Sequence, residues 1–585
     1  MNKPSIAVIG LGYVGLTTAV TFASKGFPVY GLDIDSGTIT RINSSNPTFY
    51  EPMLEELLKE ALRNGFKAGE TLELSDIYFI TVGTPSGREG NIDLSYVKAV
   101  AEKLGGFLKD VDGYHLVVVK STVVPGTTEG VVKPIIESAS GKMFGDNLGL
   151  AMNPEFLKEG SAVQNSFEPD RVVIGEYDRK SGDVLLDLYR QFYGGNLPPV
   201  LRTTIANSEF IKYASNAFLA TKISFINMIA SIAQRVPSAD VKVIAEGIGL
   251  DRRIGPKFLN AGLGYGGSCF PKDVRALIAF SKSVGYDPIL LDDVDEINVR
   301  QPEVSIELAR RYLGSSKDSK IAVLGLSFKP ETDDIRDAVS VRIINRLLAE
   351  GAKVSVYDPV ATENVSKLFG NRIAYASSAL EAIKDADCCI IVTEWDEFKK
   401  LEPSDFIERM RKPVLIDGRR IYDPEKYACR MKFAAVGLGT VSKISVGSNI
   451  WRNPAIAVNA IIEEHGKILL IRRNQEPFMG MFSLPGGYVE YGETVKEAVG
   501  REIKEETGLD MIESRLIDVY SDPLRHPEKH VISLLYEVSC NGALKVNGDE
   551  VSEGDFYDAK NLPGRLAFDH SKMIEGYIRW KGGRP

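Results

Sequence analysis

Near its N-terminus the chain reads Ser5-Ile6-Ala7-Val8-Ile9-Gly10-Leu11-Gly12-Tyr13-Val14-Gly15. The apolar run Ile6–Ile9 predicts a buried strand, and residues 16–25 continue with the apolar spacing of a helix. Between them, the GxGxxG glycines permit a tight turn and let a pyrophosphate approach the backbone closely. A second predicted strand ends at Asp33, whose carboxylate can accept ribose hydroxyls and would repel the extra phosphate of NADP. The pattern therefore predicts an α/β dinucleotide-binding domain that takes NAD.

The size of the chain, 585 residues, corresponds to about four domains. Its 44% hydrophobic and 25% charged residues are typical of soluble globular protein, and its net charge of −9 argues against nucleic acid as a partner. Five scattered cysteines show neither a disulfide framework nor CxxC metal spacing. No apolar run is long enough to span a bilayer, and a strand starting at Ile6 leaves no room for a signal peptide. We therefore expect a soluble cytoplasmic protein with no membrane or nucleic-acid partner.

Polar segments follow three further predicted strands, at 77–82, 116–120 and 148–152. These segments are Thr84-Pro85, Ser121-Thr122 and Asn153–Gly160. Because ligands bind outside the carboxyl ends of strands in open parallel sheets, the three segments are candidate ligand contacts. Ordinary turn chemistry is the alternative.

A long helical pattern at 206–236 carries Lys212 and Asn216 one turn apart, so that both side chains lie on one face. The small apolar residues along this pattern favour a helix that packs centrally or against another subunit. A solvated polar face is the alternative.

The segment 264–273 reads Gly-Tyr-Gly-Gly-Ser-Cys-Phe-Pro-Lys-Asp. Its glycines let backbone N–H groups approach a substrate, and Lys272 gives Cys269 the electropositive surroundings that favour a thiolate. Cys269 is therefore a candidate nucleophile. The alternative is a Gly-rich turn that contains an inert buried cysteine.

A second α/β pattern begins at 320–325 and continues with strand-like runs at 353–357, 388–393 and 413–417. It lacks a full GxGxxG, so we expect this domain to hold a nucleotide without the pyrophosphate grip used for NAD. Three cations near its strand ends could bind a diphosphate, with individual surface salt bridges as the alternative. These cations are Lys329, Arg336 and Arg419.

In this order, the motifs resemble those of the nucleotide-sugar dehydrogenase (UDP-glucose/GDP-mannose dehydrogenase) family over about residues 3–440. The resemblance implies a homodimer that oxidises the C6 alcohol of a nucleotide sugar to a carboxylate with two NAD molecules in turn. It also implies that Cys269 adds to the aldehyde as a thiolate and that water releases the acid from a thioester. The motifs are more similar to the UDP-glucose branch, which makes UDP-glucuronate, than to the GDP-mannose or UDP-N-acetylmannosamine branches, which remain alternatives.

Further roles are implied by matched positions in the family. Lys212 and Asn216 would stabilise an oxyanion at C6 and contact the substrate. Glu155 would contact the substrate and act as a base toward it or toward water, and Thr122 and Asp273 would hold that water. The other implied substrate contacts are Phe156, Leu157, Lys158, Glu159, Phe258, Gly266, Lys329, Arg419 and, across a dimer interface, Arg253. The implied NAD contacts are Gly10, Gly12, Tyr13, Val14, Gly15, Asp33, Thr84, Thr122, Lys272 and Arg336.

A separate pattern follows a Ser/Gly/Asn-rich boundary at 442–449. Gly487–Glu493 and Arg501–Leu509 fill every fixed position of the Nudix box. On a helix, three of its glutamates crowd one face and repel one another unless a cation binds, and hard oxygen ligands of this kind suit Mg²⁺ or Mn²⁺. A solvated Glu-rich helix is the alternative. The candidate metal ligands are Glu502, Glu505 and Glu506.

Both ends of the box fit this interpretation, because Arg501 can hold Glu493 and Gly508 can end the helix in the left-handed conformation. The pattern resembles the Nudix hydrolases, which implies a metal-dependent pyrophosphatase acting on nucleoside diphosphates linked to another group. The segment 520–533 is similar to the ADP-ribose pyrophosphatase branch, but His526 and residues 528–529 depart from it and put ADP-ribose in doubt. A nucleotide sugar is the other candidate substrate.

The base that activates water in this domain is predicted to be Glu553, with Glu550 as the alternative. His526, His530 and His570 are too dispersed to be proposed as metal ligands, and we expect them to be ordinary polar surface or loop residues. The domain could also serve as a nucleotide sensor. Its intact carboxylate face favours catalysis.

The predicted fold class is α/β, with two Rossmann-like parallel-sheet domains joined by a central helical domain and followed by a Nudix α/β/α sandwich. The predicted domains are residues 1–200 for NAD, 201–312 for dimerisation and the cysteine loop, 313–445 for the nucleotide sugar and 452–585 for the Nudix fold.

Overall fold

A computed structural model of the chain describes residues 3–439, 454–475, 477–490, 492–522, 525–526, 530–546 and 551–583. The chain divides into two units, residues 1–442 and 443–585, which are described separately below. The predicted fold class is confirmed, while the residue ranges of the four predicted domains stay predictions.

The first sheet of the larger unit is built from eight short strands. These are β1 (Ile6–Ile9), β2 (Val29–Leu32), β3 (Lys67–Gly69), β4 (Ile77–Ile80), β5 (His115–Val119), β6 (Leu148–Met152), β7 (Val172–Glu176) and β8 (Val200–Thr204). Their order is β3-β2-β1-β4-β5-β6-β7-β8, and neighbours are parallel except β6 and β7. Because side chains alternate along a strand, Ile6 and Val8 enter one apolar cluster and Ala7 and Ile9 enter the other.

Seven helices accompany this sheet. They are α1 (Tyr13–Ser24), α2 (Ser36–Asn43), α3 (Leu54–Arg63), α4 (Ser95–Leu108), α5 (Lys133–Ser140), α6 (Ala162–Phe167) and α7 (Arg179–Tyr193). Strands β1, β4, β5 and β6 are buried along their whole length, as expected where apolar layers cover both faces of a parallel sheet.

The central region consists of α8 (Ile205–Ala233), α9 (Val241–Gly249), α10 (Phe270–Ser283), α11 (Ile289–Arg300) and α12 (Glu303–Leu313). The long predicted helix at 206–236 is thus present as α8, whose N-cap Thr204 accepts the N–H of Asn207. Among the described residues, α8 is the one helix long and apolar enough to cross a membrane, contrary to the expectation that no segment is. Core helices of soluble proteins meet the same criterion, so this is weak evidence for a membrane span.

The second sheet comprises β9 (Lys320–Leu324), β10 (Lys353–Tyr357), β11 (Ala374–Tyr375), β12 (Cys388–Ile391), β13 (Val414–Asp417) and β14 (Lys432–Ala435). Its order is β11-β10-β9-β12-β13-β14, all parallel. The accompanying helices are α13 (Val339–Ala349), α14 (Thr362–Phe369), α15 (Ala379–Ala382), α16 (Asp396–Lys399), α17 (Pro403–Arg409) and α18 (Pro424–Ala428).

The acid at the end of the second strand is used differently in the two sheets. In the first sheet, Asp33 accepts the N–H of Leu11 at 2.7 Å and is only partly buried. In the second, Asp358 accepts the N–H of Leu326 at 2.7 Å, is 2% exposed, and is covered by Trp395, whose indole N–H donates to it at 3.1 Å. The second acid therefore organises its own loop and is closed to a ribose.

The smaller unit contains β15 (Ala455–Glu464), β16 (Lys467–Arg473), β17 (Phe482–Ser483), β18 (Asp510–Tyr520), β19 (Val531–Asn541) and β20 (Val551–Asp558), with helices α19 (Val495–Thr507) and α20 (His570–Gly582). Strands run β17-β16-β15-β19-β18, and β20 pairs with β16. β15 and β16 form an antiparallel pair, and β15 lies parallel to β19. An apolar cluster beneath α19 and another beneath α20 complete the layered fold.

We expect Asp358→Ala to lower the free energy of unfolding by about 3 kcal/mol, because the buried donors of Leu326 and Trp395 lose their acceptor. Urea denaturation followed by far-UV circular dichroism measures this change. Asp396→Ala, at an exposed position of the same domain, is the matched control and should change stability little. Equal stability of the two variants would contradict the assigned role of Asp358.

Candidate active sites

The three fingerprint glycines lie in different steric surroundings. Gly10 has φ +95°, and a Cβ there would lie 2.8 Å from Val82. A Cβ on Gly15 would lie 1.8 Å from the carbonyl oxygen of Gly10, so α1 can approach β1 only at a glycine. A Cβ on Gly12 would meet nothing within 4 Å. Gly12 therefore borders open space, where a pyrophosphate could approach the N-terminus of α1.

A cavity of about 260 Å³ adjoins these glycines. It is lined by Gly10, Gly12 and Asp33, with Tyr96 and Lys103 contributed by α4. The carboxylate that the sequence predicts to accept ribose hydroxyls of NAD, Asp33, thus faces this cavity.

The predicted cofactor contacts Thr84 and Thr122 are brought together, since the Thr84 hydroxyl donates to the Thr122 carbonyl at 2.8 Å. Val14 lies in the first turn of α1. The hydroxyl of Tyr13 donates to Glu51, a buried carboxylate that also accepts the N–H of Gly160 at 2.7 Å. Glu51 therefore ties the fingerprint helix to the end of the Asn153–Gly160 segment.

A buried ion pair lies at the junction of the first domain and α8. The Nζ of Lys212 is 2.7 Å from Oε1 of Glu155, and both side chains are almost fully buried. Burial alone would raise the pKa of Glu155, but the Lys212 ammonium and the N–H of Leu157 hold it below its ordinary value. Likewise burial would lower the pKa of Lys212, while Glu155 and nearby acidic groups raise it. Both groups are therefore charged at neutral pH.

A second polar network surrounds Asp273, in the first turn of α10. Its Oδ2 accepts the Asn216 amide at 2.6 Å, and its Oδ1 accepts the Lys272 ammonium at 2.6 Å. Asn216 is buried one turn after Lys212 on α8. The two predicted partners on α8 thus face the cysteine loop together.

Cys269 lies between these two networks, at the N-cap of α10. The expectation of a thiolate is wrong here. Burial raises the pKa of the Cys269 thiol to about 11, with Glu155 and Asp273 adding to the effect and Lys212 only partly opposing it. Lys212 and Lys272 are each paired with a carboxylate, so they do little to offset the effect of burial, and the thiol keeps its proton at neutral pH.

Another group of charged residues lies on the far side of the cysteine loop. Glu159 accepts the Ser268 hydroxyl at 2.8 Å, and the Arg336 guanidinium, which chelates Asp334, lies 3.5 Å from the same oxygen. Burial raises the pKa of Glu159 to about 7, reinforced by Asp334. Lys329 is also largely enclosed, and burial lowers its pKa.

The remaining predicted substrate contacts are arranged around this centre. The Arg171 guanidinium lies 4.0 Å from the centre of the Phe156 ring, and the N–H of Lys158 donates to Asn165 at 3.2 Å. Phe258 has φ +65° and lies 6.3 Å, ring to ring, from Phe270. A Cβ on Gly266 would lie 2.4 Å from the Asp337 carbonyl oxygen, so this glycine permits close contact with the third domain.

Two predicted arginines are placed differently. Arg419 donates to Glu394 at 2.5 Å and lies against Gly262. Arg253 is 88% exposed and pairs only with Asp251 among the described residues. Arg253 therefore does not contact the cysteine loop of its own chain. This agrees with a role in which it would reach the substrate of a second subunit, which stays a prediction.

In the smaller unit, α19 holds the carboxylate face of the Nudix box. Glu502 lies under Gly487, where a Cβ would be 2.4 Å from its carboxylate oxygen, and Glu506 accepts the N–H of Gly486 at 2.7 Å. Gly508 ends the helix at φ +71°, as predicted. Glu502, Glu505 and Glu506, together with Gly486 and Gly487, line a cavity of about 340 Å³.

Arg501 bridges this face. It binds Glu493 at 2.7 Å, as predicted, and also Glu502 at 2.9 Å and Glu505 at 3.1 Å. In the part of the chain that the structure describes, no three acidic, histidine or cysteine side chains converge as a metal-binding group. The donor set is nevertheless of the hard-oxygen type that suits Mg²⁺ or Mn²⁺.

A second cavity, of about 280 Å³, adjoins the first and shares Gly486, Gly487 and Tyr488 with it. His526 and His570 line this second cavity and are buried. The expectation of an ordinary surface or loop residue is wrong for His570, which begins α20, whereas His526 does lie in the loop between β18 and β19. His526 stacks on Phe568 at 5.2 Å. Burial lowers the pKa of His570 to about 3, and its Nδ1 accepts the N–H of Leu484 at 3.0 Å.

The predicted base Glu553 lies on β20, opposite Arg472 in register, and is about half exposed. It is not among the residues that line either cavity. Glu550, the alternative base, lies outside the described residues. Residues 528–529, which depart from the pattern of the ADP-ribose pyrophosphatase branch, also lie outside them. His530 is exposed and contacts the Ser521 carbonyl oxygen.

Comparison with known proteins covers nearly the whole chain. Three models of the UDP-glucose/GDP-mannose dehydrogenase family match, as NAD binding domain (residues 4–193), central domain (206–300) and UDP binding domain (322–424). A NUDIX domain model matches residues 451–577. UDP-glucose 6-dehydrogenase AglM of Haloferax volcanii is 45% identical over 422 residues, covering 71% of this chain and 96% of the relative. The chain belongs to the UDP-glucose/GDP-mannose dehydrogenase family. It also carries a C-terminal NUDIX domain.

Two further members of the family agree with this assignment. UDP-glucose 6-dehydrogenase TuaD of Bacillus subtilis is 42% identical, covering 72% of this chain and 90% of the relative. A solved UDP-glucose dehydrogenase from Pyrobaculum islandicum is 39% identical with a TM-score of 0.69, covering 74% of this chain and 98% of that one. This chain is therefore a dehydrogenase-type enzyme that binds NAD and a nucleotide sugar, extended by a NUDIX domain.

Several residues near the dehydrogenase centre were not among the site residues predicted from the sequence. Lys120 is buried behind the ion pair, donates to Asn153 at 2.8 Å, and has its pKa lowered by burial to about 8. Asn153 also accepts the Tyr189 hydroxyl at 2.5 Å. Lys120 and Asn153 begin strand-end segments that the sequence does single out, whereas Glu51 lies in a loop without any motif.

We expect Lys212→Met and Glu155→Met each to lower the free energy of unfolding by about 4 kcal/mol, because each leaves a buried charge without its partner. The double variant should lose much less than the sum, since no charge is then buried alone. Urea denaturation of the four proteins measures this cycle. Lys59→Met, in an exposed ion pair, is the control and should change stability by less than about 1 kcal/mol.

The pH dependence of this pair has a definite sign. Because the folded pKa of Glu155 is below its ordinary value, the pair's contribution is present above that ordinary value and is lost as pH falls through the lowered pKa. Two results would contradict this assignment. One is a loss in the double variant equal to the sum of the two single losses, and the other is a wild type whose stability falls no more with acid than that of the double variant.

Proposed function

We propose that residues 3–439 oxidise UDP-glucose to UDP-glucuronate in two NAD-dependent steps through a thioester on Cys269. The observation that carries this proposal is the convergence of Cys269, Lys212, Asn216, Asp273 and Glu155 in one buried centre. The names of the curated relatives reported above favour UDP-glucose over GDP-mannose or UDP-N-acetylmannosamine.

The glycine turn and Asp33 would hold the cofactor. Gly12 borders the open space at the N-terminus of α1, and the Asp33 carboxylate lines the adjoining cavity. Thr84, Thr122, Lys272 and Arg336 would complete the cofactor contacts. NAD⁺ bound here would accept one hydride from C6 in each oxidation step.

The ion pair between Lys212 and Glu155 would serve both oxidation steps. Glu155 is ionised at neutral pH and can accept the proton of the C6 hydroxyl. Lys212 remains cationic and, with the Asn216 amide, would stabilise negative charge on the C6 oxygen. A fixed cation in a buried site stabilises such charge more strongly than it would in water.

Cys269 would add to the aldehyde carbon, forming a C–S bond while the carbonyl oxygen takes the electron pair. Loss of the second hydride from C6 then leaves a thioester, and attack by water breaks its C–S bond to give the carboxylate. Thr122 and Asp273 would hold this water, with Glu155 as its base. Lys329 and Arg419 would bind the diphosphate of the sugar nucleotide, and Phe156–Glu159, Phe258 and Gly266 would shape its pocket.

A homodimer is part of this proposal. The central helices leave large apolar side chains exposed, including Phe218 at 66%, Leu250 at 79% and Ile289 at 66%. Exposed apolar area of this kind is typical of an interface between subunits. Arg253 is exposed in the loop that follows α9, so a second subunit could receive it as a substrate contact.

We expect the wild-type chain to form two NADH per UDP-glucose, and Cys269→Ser to form fewer than two because a serine hydroxyl is a much weaker nucleophile than sulfur. NADH absorbance with UDP-glucose, UDP-galactose, UDP-N-acetylmannosamine and GDP-mannose, with chelator present, measures both points. Cys429→Ser, at an exposed cysteine, is the control. Two NADH from Cys269→Ser would exclude the thioester, and turnover of another sugar alone would exclude UDP-glucose.

We propose that the NUDIX domain hydrolyses a nucleoside diphosphate linked to another group, of the ADP-ribose or nucleotide-sugar type. The carboxylate cavity on α19 adjoins the cavity lined by Asn459, His526 and Phe568. Such an arrangement suits a pyrophosphate in the first cavity and a ring system stacked in the second. Mg²⁺ or Mn²⁺ held by Glu502, Glu505 and Glu506 would neutralise negative charge on the pyrophosphate.

Glu553 remains our candidate for the base that activates water, with Glu550 as the alternative. The ion pair between Glu553 and Arg472, at 3.5 Å, would have to break for Glu553 to act as a base. A domain that only senses a nucleotide would bind it without releasing products, so detection of nucleotide products separates catalysis from sensing.

We expect a chelator, and separately Glu505→Gln, to abolish release of nucleoside monophosphate from ADP-ribose or UDP-glucose while NADH formation continues. Loss of a metal ligand should reduce hydrolysis at least about 10-fold. Chromatographic separation of the nucleotide products measures this. Glu575→Gln, at an exposed position of α20, should hydrolyse normally. Binding without hydrolysis in the wild type would favour the sensor.

A further inference from the structure

Three side chains form a continuous polar connection on one side of the proposed reacting sulfur. Ser268 Oγ lies 3.5 Å from the Sγ of Cys269 and donates a hydrogen bond at 2.8 Å to Oε1 of Glu159. Glu159 comes from the segment after β6, more than one hundred residues earlier in the chain. The fold therefore connects a thiol, a hydroxyl and a carboxylate in that order.

The direction of these hydrogen bonds follows from the number of protons. A serine hydroxyl has one proton and two lone pairs. Because the Ser268 proton is donated to Glu159, only its lone pairs remain for the neighbouring sulfur. The Cys269 thiol, which keeps its proton at neutral pH, must then be the donor in the second contact. Both protons thus point toward Glu159.

The other carboxylates near the sulfur are already engaged by donors. Oε1 and Oε2 of Glu155 accept from Lys212 and from the N–H of Leu157, both at 2.7 Å. Both oxygens of Asp273 accept side-chain donors at 2.6 Å. By contrast, Oε2 of Glu159 is buried and has no hydrogen-bond partner among the described residues. Glu159 is therefore the carboxylate best able to take up a proton.

The charges that face Glu159 support this. Asp334 disfavours the ionised form of Glu159. The neighbouring Cys269 and Tyr13 are neutral at pH 7 and add no negative charge. The cations that favour its ionised form are Arg336 and Lys329. Burial outweighs these cations and raises the pKa of Glu159 to about 7. Glu159 can therefore gain and lose a proton near neutral pH.

We propose that Ser268 is a positioning residue that passes the thiol proton of Cys269 to Glu159 when sulfur attacks, and passes it back when the thioester is cleaved. As the C–S bond forms, the S–H bond breaks, Ser268 Oγ takes that proton, and its own proton moves to Glu159 Oε1. On thioester hydrolysis the C–S electron pair returns to sulfur and the proton moves in reverse. This inference rests on the thioester chemistry proposed above.

The test uses the full-length protein without substrate, so it does not depend on dehydrogenase activity. Iodoacetamide alkylates Cys269 at a rate that can be followed from pH 5 to 10 by mass spectrometry of the peptide containing it. In the wild type we expect the rate to rise as Glu159 loses its proton near pH 7 and to level off before the thiol itself ionises. In Ser268→Ala this rise should disappear, lowering the rate at pH 8 about 10-fold or more.

Three comparisons separate proton transfer from a merely structural role. Ser268→Thr keeps a hydroxyl and should restore the rise near pH 7. Glu159→Gln should remove it, and the double variant Ser268→Ala/Glu159→Gln should be no slower than either single variant, because both act in one route. Ser283→Ala, at an exposed position of α10, and the exposed thiol of Cys429 in the same digests are the controls.

The outcomes are distinct. Three results would overturn the relay. The alkylation rate could have the same pH profile in the wild type and in Ser268→Ala, it could fall by one constant factor at every pH, or the two substitutions could lower it independently and additively. Failure to form NADH from any nucleotide sugar would instead overturn the proposed dehydrogenase function, whatever the alkylation profile. If Ser268→Ala does not fold, Glu159→Gln against the wild type gives the same comparison.

Discussion

The buried ion pair between Lys212 and Glu155 is the interaction on which the arrangement of the dehydrogenase centre depends. It joins α8 to the segment that follows β6, and so fixes the central helices against the NAD-binding sheet. Two charges that are almost fully buried are tolerated only when each compensates the other. The pair therefore sets the position of α8, and with it the position of Asn216 relative to the cysteine loop.

Charge compensation extends through the whole centre. Lys272 and Asn216 satisfy Asp273, Lys212 satisfies Glu155, and Arg336 chelates Asp334. Burial raises the pKa of the Cys269 thiol, and the paired cations oppose this only in part, so the thiol stays protonated at neutral pH. If Cys269 is the nucleophile, as we propose, this centre would have to move the thiol proton when sulfur attacks.

The two Rossmann-like sheets show how one local pattern can serve two purposes. Asp33 and Asp358 occupy the same place at the end of a second strand, and each accepts the N–H of a leucine at 2.7 Å. Asp33 stays partly open beside a cavity, whereas Trp395 covers Asp358. The difference comes from a side chain 37 residues further along the chain, so the strand-end motif alone does not reveal it.

The sequence by itself determined the two Rossmann-like sheets, the Nudix helix with its left-handed Gly508, and the residue types gathered at the cysteine loop. These follow from short-range patterns, namely glycine spacing, alternating burial and helical periodicity. Only the tertiary structure decided that Cys269 is a neutral thiol, that His526 and His570 are buried, that Arg253 lies away from the loop of its own chain, and that Ser268 contacts Glu159. Each of these depends on burial and on charges contributed by distant segments, which set pKa values and contacts that no local spacing encodes.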